Sequence, residues 1–371
     1  MTSNEIPQKQ KAWIVVKRGK PKDALVLDAD VPVPTELKPG EVLVKVQAAA
    51  LNPIGYKLMC MLPNFIAKRP LTAESDFAGI VANGNGTKWL DGEAVFGLIP
   101  YGLGMKTKQG ALTEYTVVPA DHLATRPANV TPAQAAGVGI VGLTAWQAVF
   151  DYLKMEEGQH LFIYGASTSV GVFAIQIAKA KGIKVTASAS ERNREFVTSL
   201  GADDVSHVDN SAWYFINSQA YLQFVDYTKQ DIATYLSQNP PTPKFHGILD
   251  AFGLPNASLY ANSEKYLAPG GIYASVGPQP HRLGDVPKLL ELLFDMVRPT
   301  WLGGVKRKFA FISVKVDTED LNEIQDLLAT GKISPRIDSV YKFEDALQAY
   351  DRSMTGRATG KIVVKVDPSV D

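Results

Sequence analysis

The sequence predicts an α/β protein in which a doubly wound parallel sheet is set inside a discontinuous, barrel-like β domain. Three observations predict it. Short β-branched runs separated by Pro and Gly turns fill the first third, strands alternate with helices from Leu161 onward, and the chain closes on a regular strand. At 371 residues there is room for two ordinary cores, and 46% hydrophobic with 20% charged residues is a globular composition. Residues 1–130 and 318–371 are expected to form the barrel-like domain, and 131–317 the parallel sheet.

The elements follow in order. Ala12–Val16, Glu41–Val46, Val95–Gly97 and Leu112–Val118 read as strands with little helix between them, which suggests a partly open antiparallel barrel. Thr131-Pro132 is a helix start, with Thr as N-cap and Pro at the first helical position. The apolar stretch Ala133–Phe150 is broken by Gly137, Gly139 and Gly142 and reads as a buried interdomain helix rather than a membrane span. Leu161–Tyr164, Lys184–Ala187, His246–Asp250 and Ile272–Val276 are strands, and Val172–Lys181 and Asn193–Leu200 are helices between the first of them. Such alternation gives a parallel sheet with right-handed crossovers. Helices at Leu321–Leu328 and Asp345–Met354 and strands at Ile337–Tyr341 and Lys361–Val366 complete the chain. The last strand needs a sheet, and the first domain is its expected host.

Composition excludes several function classes. Lys plus Arg and Asp plus Glu are both 38, so there is no basic excess for a broad nucleic-acid footprint. The short runs Lys17–Lys20 and Lys306–Lys308 read as a solvated turn and a strand edge. The N-terminus has no apolar core and reads as a frayed tail rather than a secretory signal. Cys60 is alone, which suits a reducing, cytoplasmic setting. The apolar segment Leu289–Val297, followed by Trp301, carries Glu291 and Asp295 and reads as a helix packed on the sheet or against a second copy; peripheral membrane contact is the competing reading.

Chemistry concentrates at Gly165-Ala166-Ser167-Thr168-Ser169-Val170-Gly171, between a strand and a helix. A tight turn there aims backbone N–H groups and a helix N-terminus at a pyrophosphate. Only Gly171 of the glycine fingerprint is present, while Ser167, Thr168 and Ser169 offer hydroxyl donors. At the end of the next strand an NAD site carries a carboxylate; here Ser188 stands there, followed by Ser190, Glu191 and Arg192. A small hydroxyl leaves room for a 2′-phosphate that Arg192 neutralises, which favours NADPH. The alternative has Glu191 on the ribose and Arg192 solvated.

These residues resemble the medium-chain dehydrogenase/reductase superfamily, in its zinc-free quinone oxidoreductase and enoyl reductase branch. The resemblance is carried by Ala48–Pro53, Asp76–Val81, Gly110–Tyr115, Leu143–Trp146, Asp250–Gly253, Leu267–Gly271 and Gly360–Val364, in the family's order over nearly the whole chain. The serine-threonine turn and the C-terminal stretch are most similar to fungal, especially yeast, members, some of them associated with mitochondria or lipid droplets. The resemblance implies a Rossmann domain inside a GroES-like catalytic domain, a monomer or homodimer, and hydride transfer from NADPH to an enone, enal or quinone. It implies Asn52, Lys57 and Thr144 near nicotinamide and substrate, with Tyr56 as a further candidate, and Phe252, Gly277 and Lys361 at the cofactor. Gly55 replaces an Asp that the family often carries, and Cys60–Phe65 lacks the tyrosine some enoyl reductases use as proton donor.

The five histidines, at 122, 160, 207, 246 and 281, and lone Cys60 show no zinc-ligand spacing. Without a Lewis acid, conjugated substrates are the feasible class, because hydride at the β-carbon gives an enolate that hydrogen bonds stabilise. Two alternatives stay open on sequence: reduction of a saturated aldehyde, and a cofactor-binding protein of this fold that acts as a sensor or trafficking partner.

Overall fold

The computed structural model describes residues 6–200, 231–278, 292, 294–296 and 298–370, and the backbone of 224–226. The chain forms two compact units, Met1–Leu143 with Lys315–Asp371, and Thr144–Val314. In chain order the first unit carries β1 (Lys9–Val15), β2 (Leu25–Pro32), β3 (Glu41–Leu51), β4 (Leu71–Thr72), β5 (Asp76–Asn83), β6 (Ala94–Leu98), β7 (Tyr115–Pro119) and β8 (Leu123–Thr125). The second carries β9 (His160–Tyr164), β10 (Lys184–Ala189), β11 (Phe224–Asp226), β12 (Phe245–Asp250), β13 (Leu267–Ser275) and β14 (Lys308–Phe311). The chain then returns to the first unit with β15 (Ile337–Lys342) and β16 (Lys361–Lys365).

In the first unit β2-β1-β4 form one sheet and β15-β16-β3-β5-β6-β8 a second, with β7 also paired to β3. Long β3 is the hub. Its second half, Ala48-Ala49-Ala50, is almost fully buried and pairs with β5 on one edge and β16 on the other. The terminal strand finds the expected host, with Ile362 opposite Leu51 and Val363 opposite Ala50. The Trp13 indole N–H donates to the Phe343 carbonyl at 2.8 Å, fastening the first strand to the last segment of chain.

The second unit is a six-stranded parallel sheet in the order β11-β10-β9-β12-β13-β14. Leu161, Phe162 and Ile163 of β9 are wholly buried, as a central strand covered on both faces must be. Successive crossovers leave β9 in opposite directions to β10 and β12, so the chain reverses at the ends of β9 and β12, where Tyr164 lies opposite Asp250. That reversal is the ligand-binding point of open α/β sheets.

One expectation is corrected in form. The single interdomain helix over Ala133–Phe150 is three pieces: Pro132–Ala136, Gly139–Gln147 and a π-helical turn at Ala148–Tyr152. Thr131 caps the first with a full capping box to Gln134, and Gly137 ends it. The division into units falls at Leu143/Thr144, later than the 130/131 boundary read from sequence, because Pro132–Ala136 packs on β3, β5 and β16. Most of the Leu289–Val297 segment, with His207, His281 and the first five residues, lies outside the described residues; Leu292 is buried and Phe294 exposed. Among the described residues no helix is long and apolar enough to cross a membrane.

Candidate active site

The turn after β9 is shaped by two glycines. Gly165 has φ +76°, and a Cβ there would stand 2.8 Å from Phe252 Cβ. A Cβ at Gly171 would run into the Gly165 carbonyl and lie 2.8 Å from Ala166 Cα, so the helix Ser169–Ala180 can start this close to the strand only with glycine. Thr168 is the N-cap: its Oγ1 accepts from the Gly171 N–H at 3.1 Å and lies 2.8 Å from the Gly165 carbonyl and 3.2 Å from that of Ala251, to which it donates. Ala166 donates its N–H to the Ser188 carbonyl. Among the described residues the amides of Ser167, Ser169 and Val170 have no acceptor within the chain. Three unsatisfied amides at a helix N-terminus fit an anion such as a pyrophosphate.

Asn193, absent from the expected set, orders the hydroxyls beside the turn. Its side-chain amide donates to Ser167 Oγ at 3.0 Å and Ser190 Oγ at 3.2 Å, so both hydroxyl protons face away from it. Ser188 is fully buried and its Oγ has no partner, so the hydroxyl placed at the ribose position by sequence does not reach solvent; Ser190 is the serine at the strand's end. Glu191 is gripped by Arg194 through two bonds of 2.7 and 2.9 Å, while Arg192 is exposed with no partner among the described residues.

Asp250 braces the other side. Its buried carboxylate accepts the N–H groups of Phe252, Gly253 and Leu254 at 3.2, 2.8 and 2.8 Å and the Ser275 hydroxyl at 2.9 Å. Ser275 Oγ in turn accepts the Gly277 N–H at 3.2 Å. One carboxylate thus holds the loops after β12 and β13, and Phe252, 41% exposed, is presented from the first of them. Thr144, 8% exposed, lies in this unit on the helix Gly139–Gln147.

In the first unit Asn52 precedes the helix Pro53–Met61 but makes no side-chain cap. Its amide donates to Asp76 Oδ2 at 3.0 Å, and its carbonyl oxygen accepts from the Lys361 ammonium at 2.7 Å, which also pairs with Asp76 at 3.0 Å. Asp76 Oδ1 accepts the Ile140 N–H. Lys361, expected at the cofactor, is 3% exposed and held inside this network by two acceptors of its own unit. Tyr56 and Lys57 follow Asn52 on the helix, both half-buried; burial raises the Tyr56 phenol and lowers the Lys57 ammonium.

Beside this network lies Glu74, in the left-handed region at φ 63° and 5% exposed. It accepts from Tyr350 Oη at 2.7 Å, Tyr101 Oη at 3.0 Å and the Asn52 N–H at 3.2 Å. Burial pushes its carboxyl up to about 7 against the pull of these donors. Its oxygens fill the space a Cβ at Gly55 would need.

Residues 38–128 match the alcohol dehydrogenase GroES-like domain family and residues 221–364 the zinc-binding dehydrogenase family. A trans-enoyl reductase of Aspergillus terreus is 34% identical over 381 residues, covering 98% of each chain. The chain belongs to the medium-chain dehydrogenase/reductase superfamily. Within the superfamily it falls in the quinone oxidoreductase and enoyl reductase branch, and it is an oxidoreductase. A zinc-type alcohol dehydrogenase-like protein of Schizosaccharomyces pombe is 33% identical over 369 residues, covering 96% of both chains. The quinone oxidoreductase of Coxiella burnetii has the same fold, with a TM-score of 0.73 and 25% identity over 96% of this chain and 99% of that one.

Of the residues expected at this superfamily's site, Asn52 and Lys361 are brought into one hydrogen-bonded network, and Gly165–Gly171, Ser190 and Phe252 follow the C-terminal ends of the adjacent strands β9, β10 and β12. Sequence reasoning did not place Glu74, Tyr101 or Tyr350 at a site, nor assign roles to Asp76, Asn193 and Asp250. A usable signal was Glu74-Ser75-Asp76, three polar residues leading into a strand whose next members, Phe77 and Ala78, are wholly buried. Cys60 Sγ faces the Gly19 carbonyl at 3.4 Å, and no group of three potential metal ligands occurs among the described residues.

Proposed function

We propose that the chain is an NADPH-dependent reductase of activated double bonds, α,β-unsaturated carbonyls and quinones, working without zinc. The observation that carries the cofactor choice is the end of β10: Glu191 is occupied by Arg194, and exposed Arg192 is left as the cation for a 2′-phosphate. The amides of Ser167, Ser169 and Val170 would hold the pyrophosphate, with the Ser167 and Ser190 hydroxyls as further donors. Phe252 and Gly277, on loops tied to Asp250, would bound the remainder of the cofactor. Bound NADPH supplies the hydride.

The barrel-like unit is the substrate domain in this reading. Asn52, Tyr56 and Lys57 are the groups of this unit assigned to orient the carbonyl and stabilise negative charge on it; Thr144, the other residue assigned to catalysis, belongs to the Rossmann unit. Asn52 is fixed for such a role because Lys361 and Asp76 hold both ends of its amide. A zinc role would need a Cys, His and carboxylate set, and lone Cys60, occupied by a backbone carbonyl, does not begin one.

The test is oxidation of NADPH and NADH with a panel of enones, enals and quinones. NADPH is expected to be preferred, and Arg192→Ala to raise its KM about tenfold, the weight of one charge-assisted hydrogen bond, with NADH kinetics unchanged. A preference for NADH would overturn the cofactor assignment, and turnover of no acceptor would overturn the reductase reading.

A further inference from the structure

Resting on the reductase reading, the next question is where the second hydrogen of the reduction comes from. Hydride alone converts an enone to an enolate, and the α-carbon must still take a proton. The Cys60–Phe65 stretch carries no tyrosine to give it. Glu74 provides another arrangement. Two phenols donate to its carboxylate, Tyr350 at 2.7 Å and Tyr101 at 3.0 Å. Tyr350 is wholly buried, whereas Tyr101 is partly exposed at the start of the helix Tyr101–Thr107. Tyr101 and Glu74 together line a cavity that Gly55, Met59, Arg69 and Met105 also bound.

Gly55 is what makes this possible. A Cβ at that position would run into Glu74 Oε1, so glycine at 55 leaves the carboxylate its place among its three donors. The carboxylate comes from the connection between β4 and β5.

The geometry points to Tyr101 and Glu74 as the proton-delivery pair for the reduced substrate. The Tyr101 O–H bond breaks as a C–H bond forms at the α-carbon of the enolate. Protonated Glu74 gives its proton across the 3.0 Å contact to the phenol oxygen, restoring Tyr101 and leaving a carboxylate. The carboxylate is then reprotonated from solvent. Tyr101 is the donor, and Glu74 acts through it as a positioning and resupplying residue. Glu74 is suited to hold that proton near neutrality, since burial raises it to about 7. The groups facing it are the phenols Tyr101 and Tyr350, Lys361 from β16, and Asp76 from β5, which pairs with Lys361.

The test compares wild type, Glu74→Gln and Tyr101→Phe with NADPH on two acceptors, cyclohex-2-enone and 1,4-benzoquinone. Reduced quinone carries its charge on oxygen, which water protonates unaided, whereas carbon needs a positioned acid. Both variants are expected to lose about 100-fold in kcat on the enone, the scale of general-acid catalysis, and to stay within about threefold on the quinone. Wild-type kcat on the enone should fall as pH rises through about 7, and the fall should be absent in Glu74→Gln. Tyr101→Phe leaves the Tyr350 and Asn52 bonds to Glu74 in place, so it reports even where Glu74→Gln folds poorly. Equal losses on both acceptors, or no loss on the enone, would overturn the pair while leaving the reductase reading intact. Wild type inactive on both acceptors would overturn the reductase reading and this pair with it.

Discussion

Replacing Lys361 by Met removes the ammonium from a site where Asp76 is 0% and Lys361 3% exposed. The methionine fills most of the volume, so the main effect is electrostatic. Asp76 keeps the Asn52 amide and the Ile140 N–H but loses its counter-charge at 3.0 Å, and Asn52 Oδ1 loses its donor at 2.7 Å. Leaving one partner of a buried ion pair costs about 3–5 kcal/mol. In a domain of this size each kcal/mol lowers Tm by about 2–4 °C, so Lys361→Met should melt ~6–20 °C below wild type. Adding Asp76→Asn removes the stranded charge and retains an acceptor for Ile140. The double variant should therefore recover about 2 kcal/mol, a coupling that two independent sites would not show. Thermal melting followed by circular dichroism measures the first, and urea denaturation the second. A Lys361→Met protein within 1 kcal/mol of wild type, or a double variant no more stable than the single, would refute the reasoning.

Three further outcomes are expected. Gly171→Ala should weaken NADPH binding at least tenfold by calorimetry, because the new methyl pushes the helix off the Gly165 carbonyl; unchanged affinity would show that the turn tolerates it. Glu74 binds its proton more tightly folded (about 7) than unfolded (4.5), so its stabilisation is full below 4.5 and lost as pH rises through about 7. The difference in stability between wild type and Glu74→Gln should shrink by roughly 3 kcal/mol over that window, and a flat difference would count against it. His160 has the opposite sign: burial, with His246 and Lys184 nearby, lowers it from 6.5 to about 4, so its contribution is present above 6.5 and lost as pH falls through about 4. His160→Leu should flatten that acid limb by roughly 2 kcal/mol in denaturation measured between these pH values.

The parallel sheet was legible because each strand and helix carries its own local pattern: apolar Leu161–Tyr164, the Thr168 cap, the small residues of the turn. The capping box at Thr131 was legible for the same reason, two side chains three residues apart. The interdomain helix was misjudged in form because the break at Gly137 depends on what Pro132–Ala136 packs against, which periodicity does not encode. Ser188 was assigned to the strand but its burial was not foreseen, because both faces of β10 are covered: Val185 to Ala189 are all buried. The Glu74 and Asp76 networks lay beyond reach altogether. Their partners Tyr350 and Lys361 are 276 and 285 residues away along the chain, inside segments that read as an ordinary amphipathic helix and an ordinary strand.

Gly55 and Glu74 compete for one volume, and that has a historical consequence. A side chain at 55 meets only the far end of the Glu74 side chain, so it would displace the carboxylate from Tyr101, Tyr350 and the Asn52 N–H rather than exclude glutamate from 74. Among relatives, a sequence with a side chain at the first position and glutamate at the second should therefore turn that carboxylate away from the two phenols.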